Sequence, residues 1–171
     1  MKAIVYTKYG PPDVLHVKEV EKPTPKDDEV LIKVHAAEVT KADCEMRSFN
    51  FQVKWFWLPL RFFLGLNKQK KQILGGYFAG EVESVGKDVK KVKKGDQVVG
   101  TVGFTMGAHA EYICLPENGP FTRKPANMTH AEAAAIPFGG HTALFFLKKT
   151  NIQKGQKVLI YGASGSVGTF A

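Results

Sequence analysis

The sequence predicts a mostly β fold, a barrel or sandwich with a few helices, that gives way near residue 126 to the opening of an α/β unit. Two observations carry this. Up to about residue 115, short segments of strand character are separated by turn residues. From Thr129 onward, a helical run, an apolar segment and a glycine-rich turn follow one another. The expected division is therefore 1–125 for the β part and 126–171 for the α/β part.

Strands are expected at 2–8, 15–20, 29–37, 80–86, 97–102 and 109–115, where apolar and polar residues alternate or β-branched residues cluster. Their boundaries are marked by Gly10-Pro11-Pro12, Pro23-Thr24-Pro25, Gly86-Lys87-Asp88 and Gly95-Asp96, all turn-forming combinations. A short helical turn fits 40–47, with Thr40 able to accept at its N-terminus. Thr129-His130-Ala131-Glu132 has the spacing of a capping box and precedes an alanine-rich run. Pro137 and Gly139-Gly140 are expected to break that helix, which resumes at Thr142. After a turn at 151–155, the apolar run at 157–161 is expected to be a strand.

Directly behind that run come Gly162, Ala163, Ser164, Gly165, Ser166, Val167 and Gly168. Glycines three apart between a strand and a helix allow a diphosphate to approach the backbone, where side chains would block it, and the helix start offers free N–H groups. The stricter G-x-G-x-x-G form is absent.

Of the 171 residues, 44% are hydrophobic, enough for a sizeable core, and the net charge is +8. The lysines fall in loop clusters such as Lys68, Lys70 and Lys71, or Lys90, Lys91, Lys93 and Lys94, without an aromatic-studded basic motif. A solvated surface is the expected role, and nucleic acid is not an expected partner. Cys44 and Cys114 are far apart, and the opening residues form no secretory signal, so free thiols and a reducing, cytoplasmic location are expected.

Several motifs agree in order and spacing: Met1-Lys2-Ala3-Ile4-Val5, Gly80-Glu81-Val82-Glu83-Ser84-Val85-Gly86, the stretch from Val92 to Gly100, Ala108-His109-Ala110-Glu111-Tyr112, and Pro137-Phe138-Gly139-Gly140-His141-Thr142-Ala143 before the glycine loop. Together they make the whole chain resemble the N-terminal part of the medium-chain dehydrogenase/reductase superfamily, in its zinc-free quinone oxidoreductase-like branch. The resemblance implies a GroES-like barrel followed by the start of a Rossmann domain. It also implies an NADPH or NADH cofactor, and hydride transfer to a small lipophilic quinone, enone or other carbonyl in the cleft between the two.

Zinc-using members of that superfamily carry ligands at the positions matching Thr40 and Gly76, and near Phe138, none of which can bind the metal here. No zinc is therefore expected. The resemblance makes the Thr40 hydroxyl the first candidate for a catalytic polar contact, with helix capping as an equal alternative. Asp43 is expected to fix local structure. Thr142 and the loop residues Gly162 to Gly168 are the expected cofactor contacts, and Thr142 has helix capping as its alternative.

The stretch from Phe49 to Leu66 is strongly apolar but too short to span a bilayer, and Pro59 and Arg61 interrupt it. Glu45, Phe49 and Trp55 are the candidate substrate-pocket residues. Extra core, a homodimer surface or peripheral membrane contact aided by the neighbouring lysines are the competing roles. A non-catalytic, self-associating fragment is the alternative reading of the chain as a whole, since an apolar strand at 157–161 has no later strand to pair with.

Overall fold

The computed structural model describes residues 1–51 and 72–171. Most of the apolar stretch that begins at Phe49, Trp55 included, lies outside the described residues.

Seven strands form the β part. β1 (Lys2–Val5) and β2 (His16–Glu19) pair antiparallel around a 3-10 turn at Pro12–Val14. β3 (Glu29–Glu38), β4 (Tyr77–Val85), β5 (Gln97–Thr101), β6 (Tyr112–Pro116) and β7 (Phe121–Arg123) form one antiparallel sheet in the order β6-β3-β4-β5-β7. Isolated bridges, Ala3 with Ala110 and Val5 with Ile73, tie the smaller sheet to the chain flanking the larger one. Val30, Ile32, Phe78, Val82 and Val98 are fully buried and form the centre of the main core. Alternation places these side chains on one face of the sheet. A second, smaller cluster of Ala79, Val99, Ala133 and Ala134 lies on the opposite face, where the long helix packs.

All six expected strands appear with shifted ends, and β7 is an addition. Only three residues long and beginning two residues past Gly119, β7 leaves too little alternation to read from sequence.

α1 (Lys41–Ser48) starts where expected, with Thr40 as its N-cap in a reciprocal capping box with Asp43. α2 (His130–Thr150) likewise starts from a capping box between Thr129 and Glu132. Its course corrects the expected break: the helix runs unbroken through Pro137, Gly139 and Gly140. Ala133, Ala134, Gly139 and Ala143 are buried along it, and this packing outweighs the hydrogen bond that proline removes. Gly139 serves close packing. A Cβ there would sit 2.5 Å from Ser166 Oγ and 2.7 Å from the Phe170 ring of α3 (Ser166–Phe170).

The expected strand at 157–161 is also corrected, because those residues adopt no regular structure. A strand is held by its ladder partners, and among the described residues none lies alongside. Leu159 is 92% and Tyr161 99% exposed. No helix of the described residues is long and apolar enough to cross a membrane.

Candidate functional site

A cleft of roughly 840 Å³ opens between α2 and the β5–β7 side of the sheet. Its walls are mainly apolar, with Val99, Phe121, Ile136 and Phe138 among them. Thr101, His141 and Thr142 add polar groups. Pockets of this character, apolar with a few placed polar groups, suit small organic ligands. Thr142, an expected cofactor contact, therefore stands on the cleft wall.

The sheet supplies a row of residues to this side. Glu38 pairs with Tyr77, and Tyr77 pairs with Thr101, across β3, β4 and β5. Directly opposed residues share a face of an antiparallel sheet. That face is the one covered by α2, as the neighbouring row Ala36, Ala79 and Val99 shows by packing with Ala133 and Ala134. Tyr77 also meets Phe138 of α2, with ring centroids 5.6 Å apart.

Glu38 reaches this face because β3 changes register between Val34 and Ala36. Strict alternation from Val30, Ile32 and Val34 would aim Glu38 into the main core. The extra residue, His35, turns Ala37 into that core and Glu38 towards α2. Sequence reasoning missed both Glu38 and Tyr77, because alternation without the bulge gives Glu38 the wrong face.

Glu38 is half-buried, and its Oε2 is buried without a hydrogen-bond partner. Burial, reinforced by the Asp43 carboxylate, holds its pKa above the ordinary glutamate value. Tyr77 is raised as well, by burial first and then by Glu38 and Asp43. Tyr6 is pushed up to about 12 by burial, with Tyr9 and Asp43 contributing.

Asp43 is the organising acid at the adjoining start of α1. It is buried; its Oδ2 accepts from Thr40 N at 2.8 Å and Thr40 Oγ1 at 2.7 Å, while Oδ1 accepts from Gly75 N at 3.0 Å. One carboxylate thus fixes both the helix start and the chain leading into β4. Thr40 spends its hydroxyl proton on Asp43 and follows Glu38 by two residues. Close by, the His109 ring nitrogen lies 3.3 Å from the Glu38 carbonyl oxygen, and Thr101 Oγ1 donates to Gly76 O at 2.7 Å.

Of the expected pocket residues, Glu45 and Phe49 are not among those that line the cleft. Glu45 lies half-buried on α1 with Lys41 3.6 Å away. Phe49 closes α1 in a left-handed conformation and is buried between Tyr9 and Phe51, at centroid distances of 4.9 and 5.3 Å. Trp55 is outside the described residues.

The glycine loop turns sharply at Gly162, which has a φ of +77° that side chains disfavour. A Cβ at Gly168 would run into Gly162 O and come within 2.7 Å of Ala163 Cα. Gly165 caps α3, and its N donates to Gly162 O at 3.0 Å. Ala163, Ser164 and Ser166 are exposed, and Val167 is half-buried. The turn is tight enough to need its glycines and open enough to leave its backbone accessible.

Residues 26–126 match the alcohol dehydrogenase GroES-like domain family. The chain is 37% identical to the quinone oxidoreductase of Sus scrofa over 173 residues, covering 100% of this chain and 48% of that protein. It is 35% identical to the 2-methylene-furan-3-one reductase of Solanum lycopersicum over 177 residues, covering 99% and 42%. The chain thus spans about half the length of the curated relatives it matches.

Among solved structures, the quinone oxidoreductase of Coxiella burnetii superposes with a TM-score of 0.83 at 33% identity, covering 99% of this chain and 51% of that one. The Escherichia coli quinone oxidoreductase, solved with NADPH, gives 0.79 at 26% identity, covering 98% and 47%. A thermostable alcohol dehydrogenase from Pyrobaculum aerophilum, solved with cobalt and zinc, gives 0.81 at 27%, covering 99% and 54%. With the family match spanning more than half its residues and these relatives alongside, the chain belongs to the medium-chain dehydrogenase/reductase superfamily, in the quinone oxidoreductase-like group, and represents its N-terminal part.

Proposed function

We propose that this chain provides the substrate half and the cofactor entrance of an NAD(P)H-dependent oxidoreductase that reduces a quinone, enone or other small lipophilic carbonyl without catalytic zinc. The observation that carries this reading is the mainly apolar cleft walled by Thr142 and Tyr77, in a chain whose glycine loop follows α2. Residues 1–125 are assigned to the substrate side and 126–171 to the start of the nucleotide-binding domain.

The loop suits a dinucleotide, because Gly162 takes a positive φ and Gly168 leaves no room for a Cβ against Gly162 and Ala163. Its residues, from Gly162 and Ala163 through Ser164, Gly165, Ser166 and Val167 to Gly168, would hold the diphosphate, with backbone N–H groups as donors. Thr142 would meet the cofactor from the cleft wall. The reduced nicotinamide supplies a hydride when bound. NADPH is preferred over NADH on the likeness to the NADPH-bound Escherichia coli enzyme.

The donor set speaks against zinc. Thr40 is committed to its capping box, Gly76 has no side chain, and Phe138 packs on Tyr77. Carbonyl polarisation then falls to hydrogen bonds: Tyr77 offers a hydroxyl on the cleft wall, whereas Thr40 and Thr101 would have to release the protons they give to Asp43 and Gly76 O.

The test is reduction of a quinone and of an alkenone by the full-length protein with NADPH, before and after exhaustive chelation. Turnover that survives chelation is expected. Turnover restored only by zinc removes the metal-free part, and no oxidation of either nicotinamide removes the whole reading.

The exposed apolar run at 157–161 favours a second reading for the 171-residue chain taken alone. In that reading it is catalytically silent and pairs with a second copy. Light scattering on that chain is expected to give a dimer mass, and a monomer at all concentrations would end the second reading.

A further inference from the structure

Glu38 is a carboxyl that the packing does not use. Asp43, five residues on, is buried with both oxygens accepting hydrogen bonds, as a structural carboxylate should be. Glu38 has a buried Oε2 with no hydrogen-bond partner among the described residues. Leaving a buried carboxylate oxygen unmatched is costly, and the cost is much smaller when the group carries a proton. The bulge at His35 aims this side chain towards α2 rather than into the main core.

Glu38 stands one strand behind the cleft wall, at the end of a row whose next members line it. Tyr77, directly across the strand pair, lines the cleft, and Thr101 continues the row into it. The titratable groups that bear on Glu38 are Asp43 of α1 and Tyr77 of β4, and the His109 ring, from the segment before β6, meets its backbone carbonyl. Asp43 opposes a second negative charge here, and among the described residues no ion pair neutralises Glu38.

We propose that Glu38 is the proton donor of the reduction, giving its carboxyl proton to the oxygen of an enone or quinone bound between the Glu38, Tyr77 and Thr101 row and α2. This rests on the oxidoreductase reading above. Reduction of an enone or quinone needs a hydride and a proton. The hydride, from the reduced nicotinamide that is oxidised in the step, forms a new C–H or O–H bond and breaks one π bond, leaving negative charge on oxygen. The Glu38 O–H bond breaks as the substrate O–H bond forms. The resulting carboxylate regains its proton from water before the next turnover.

The full-length protein with NADPH and an alkenone tests this. Glu38→Gln keeps the shape and removes the acid, so kcat is expected to fall by roughly 10²-fold, the lower range for a lost general acid. NADPH affinity, measured by fluorescence titration, should stay within about twofold, which also reports that the variant is folded. Wild-type kcat should decline as pH rises through the Glu38 titration, while the Gln variant shows no such limb. Glu38→Asp, which retains an acid, should recover part of the rate and the limb.

A second readout needs no turnover. In carboxyl-labelled protein, the NMR resonance that vanishes in Glu38→Gln should titrate above the ordinary glutamate range. Titration at or below that range overturns the proposal, as does a Gln variant with wild-type kcat and pH profile. A wild-type protein that oxidises no reduced nicotinamide overturns the oxidoreductase reading instead, so the two failures are distinguishable.

Discussion

At the scale of single residues, two carboxylates five positions apart behave oppositely. Asp43 is a keystone: it accepts from Thr40 twice and from Gly75 once. Replacing it with alanine strands the Gly75 N–H and the Thr40 donors at a site that is only 3% exposed. Asp43→Ala is therefore expected to cost about 2–4 kcal/mol, the range for orphaning buried partners of a charged group. Asp43→Asn keeps an acceptor for one or two of those donors and should lose less. Urea denaturation at constant slope checks both values.

A structural role for Asp43 comes from the family resemblance, and the sequence shows only that Thr40 could cap a helical turn; the structure joins the two in one capping box. Glu38 was not legible. Its face depends on one inserted residue in β3, and a bulge leaves no mark in an alternating pattern that stays apolar through Val34, Ala36 and Ala37. Thr142, read as a cofactor contact, stands on the cleft wall, and Phe49, read as a pocket residue, is packed between Tyr9 and Phe51.

At the scale of elements, local signals were reliable where the chain satisfies its own hydrogen bonds and unreliable where neighbours decide. Both capping boxes, Thr40 with Asp43 and Thr129 with Glu132, start helices as the spacing implies. In the second, Thr129 N and Oγ1 donate to Glu132 at 2.8 and 2.9 Å, and Thr129 Oγ1 accepts from Glu132 N at 3.2 Å. These bonds hold the Glu132 pKa below the usual carboxylate value. Thr129→Ala should therefore destabilise the chain by about 1 kcal/mol, and Thr129→Ser by much less. Thermal melts followed by circular dichroism distinguish the pair. Propensity misled at Pro137 and Gly139-Gly140. The sequence does not say that α3 will lie against Gly139, which makes the small residue a packing requirement rather than a helix breaker.

At the scale of the whole molecule, stability is unevenly distributed, and the distribution is measurable. The sheet from β6 to β7 is paired strand by strand around side chains with no exposure, such as Val30, Ile32, Phe78 and Val98. Residues 157–161 lie in irregular chain with Val158, Leu159 and Tyr161 exposed, and none of their N–H groups donates to a described partner. Amide exchange follows local opening, so protection should be greatest in β3 and β4 and nearly absent from 157 to 161 in dilute 171-residue protein. Raising the protein concentration separates the two readings of this segment. Protection at 157–161 that grows with concentration means the run forms a ladder with a second copy, because an edge with unpaired N–H and C=O groups finds strand partners. Protection that stays absent at every concentration, but appears in the full-length protein, means the run is a strand completed within one molecule, as a parallel nucleotide-binding sheet requires.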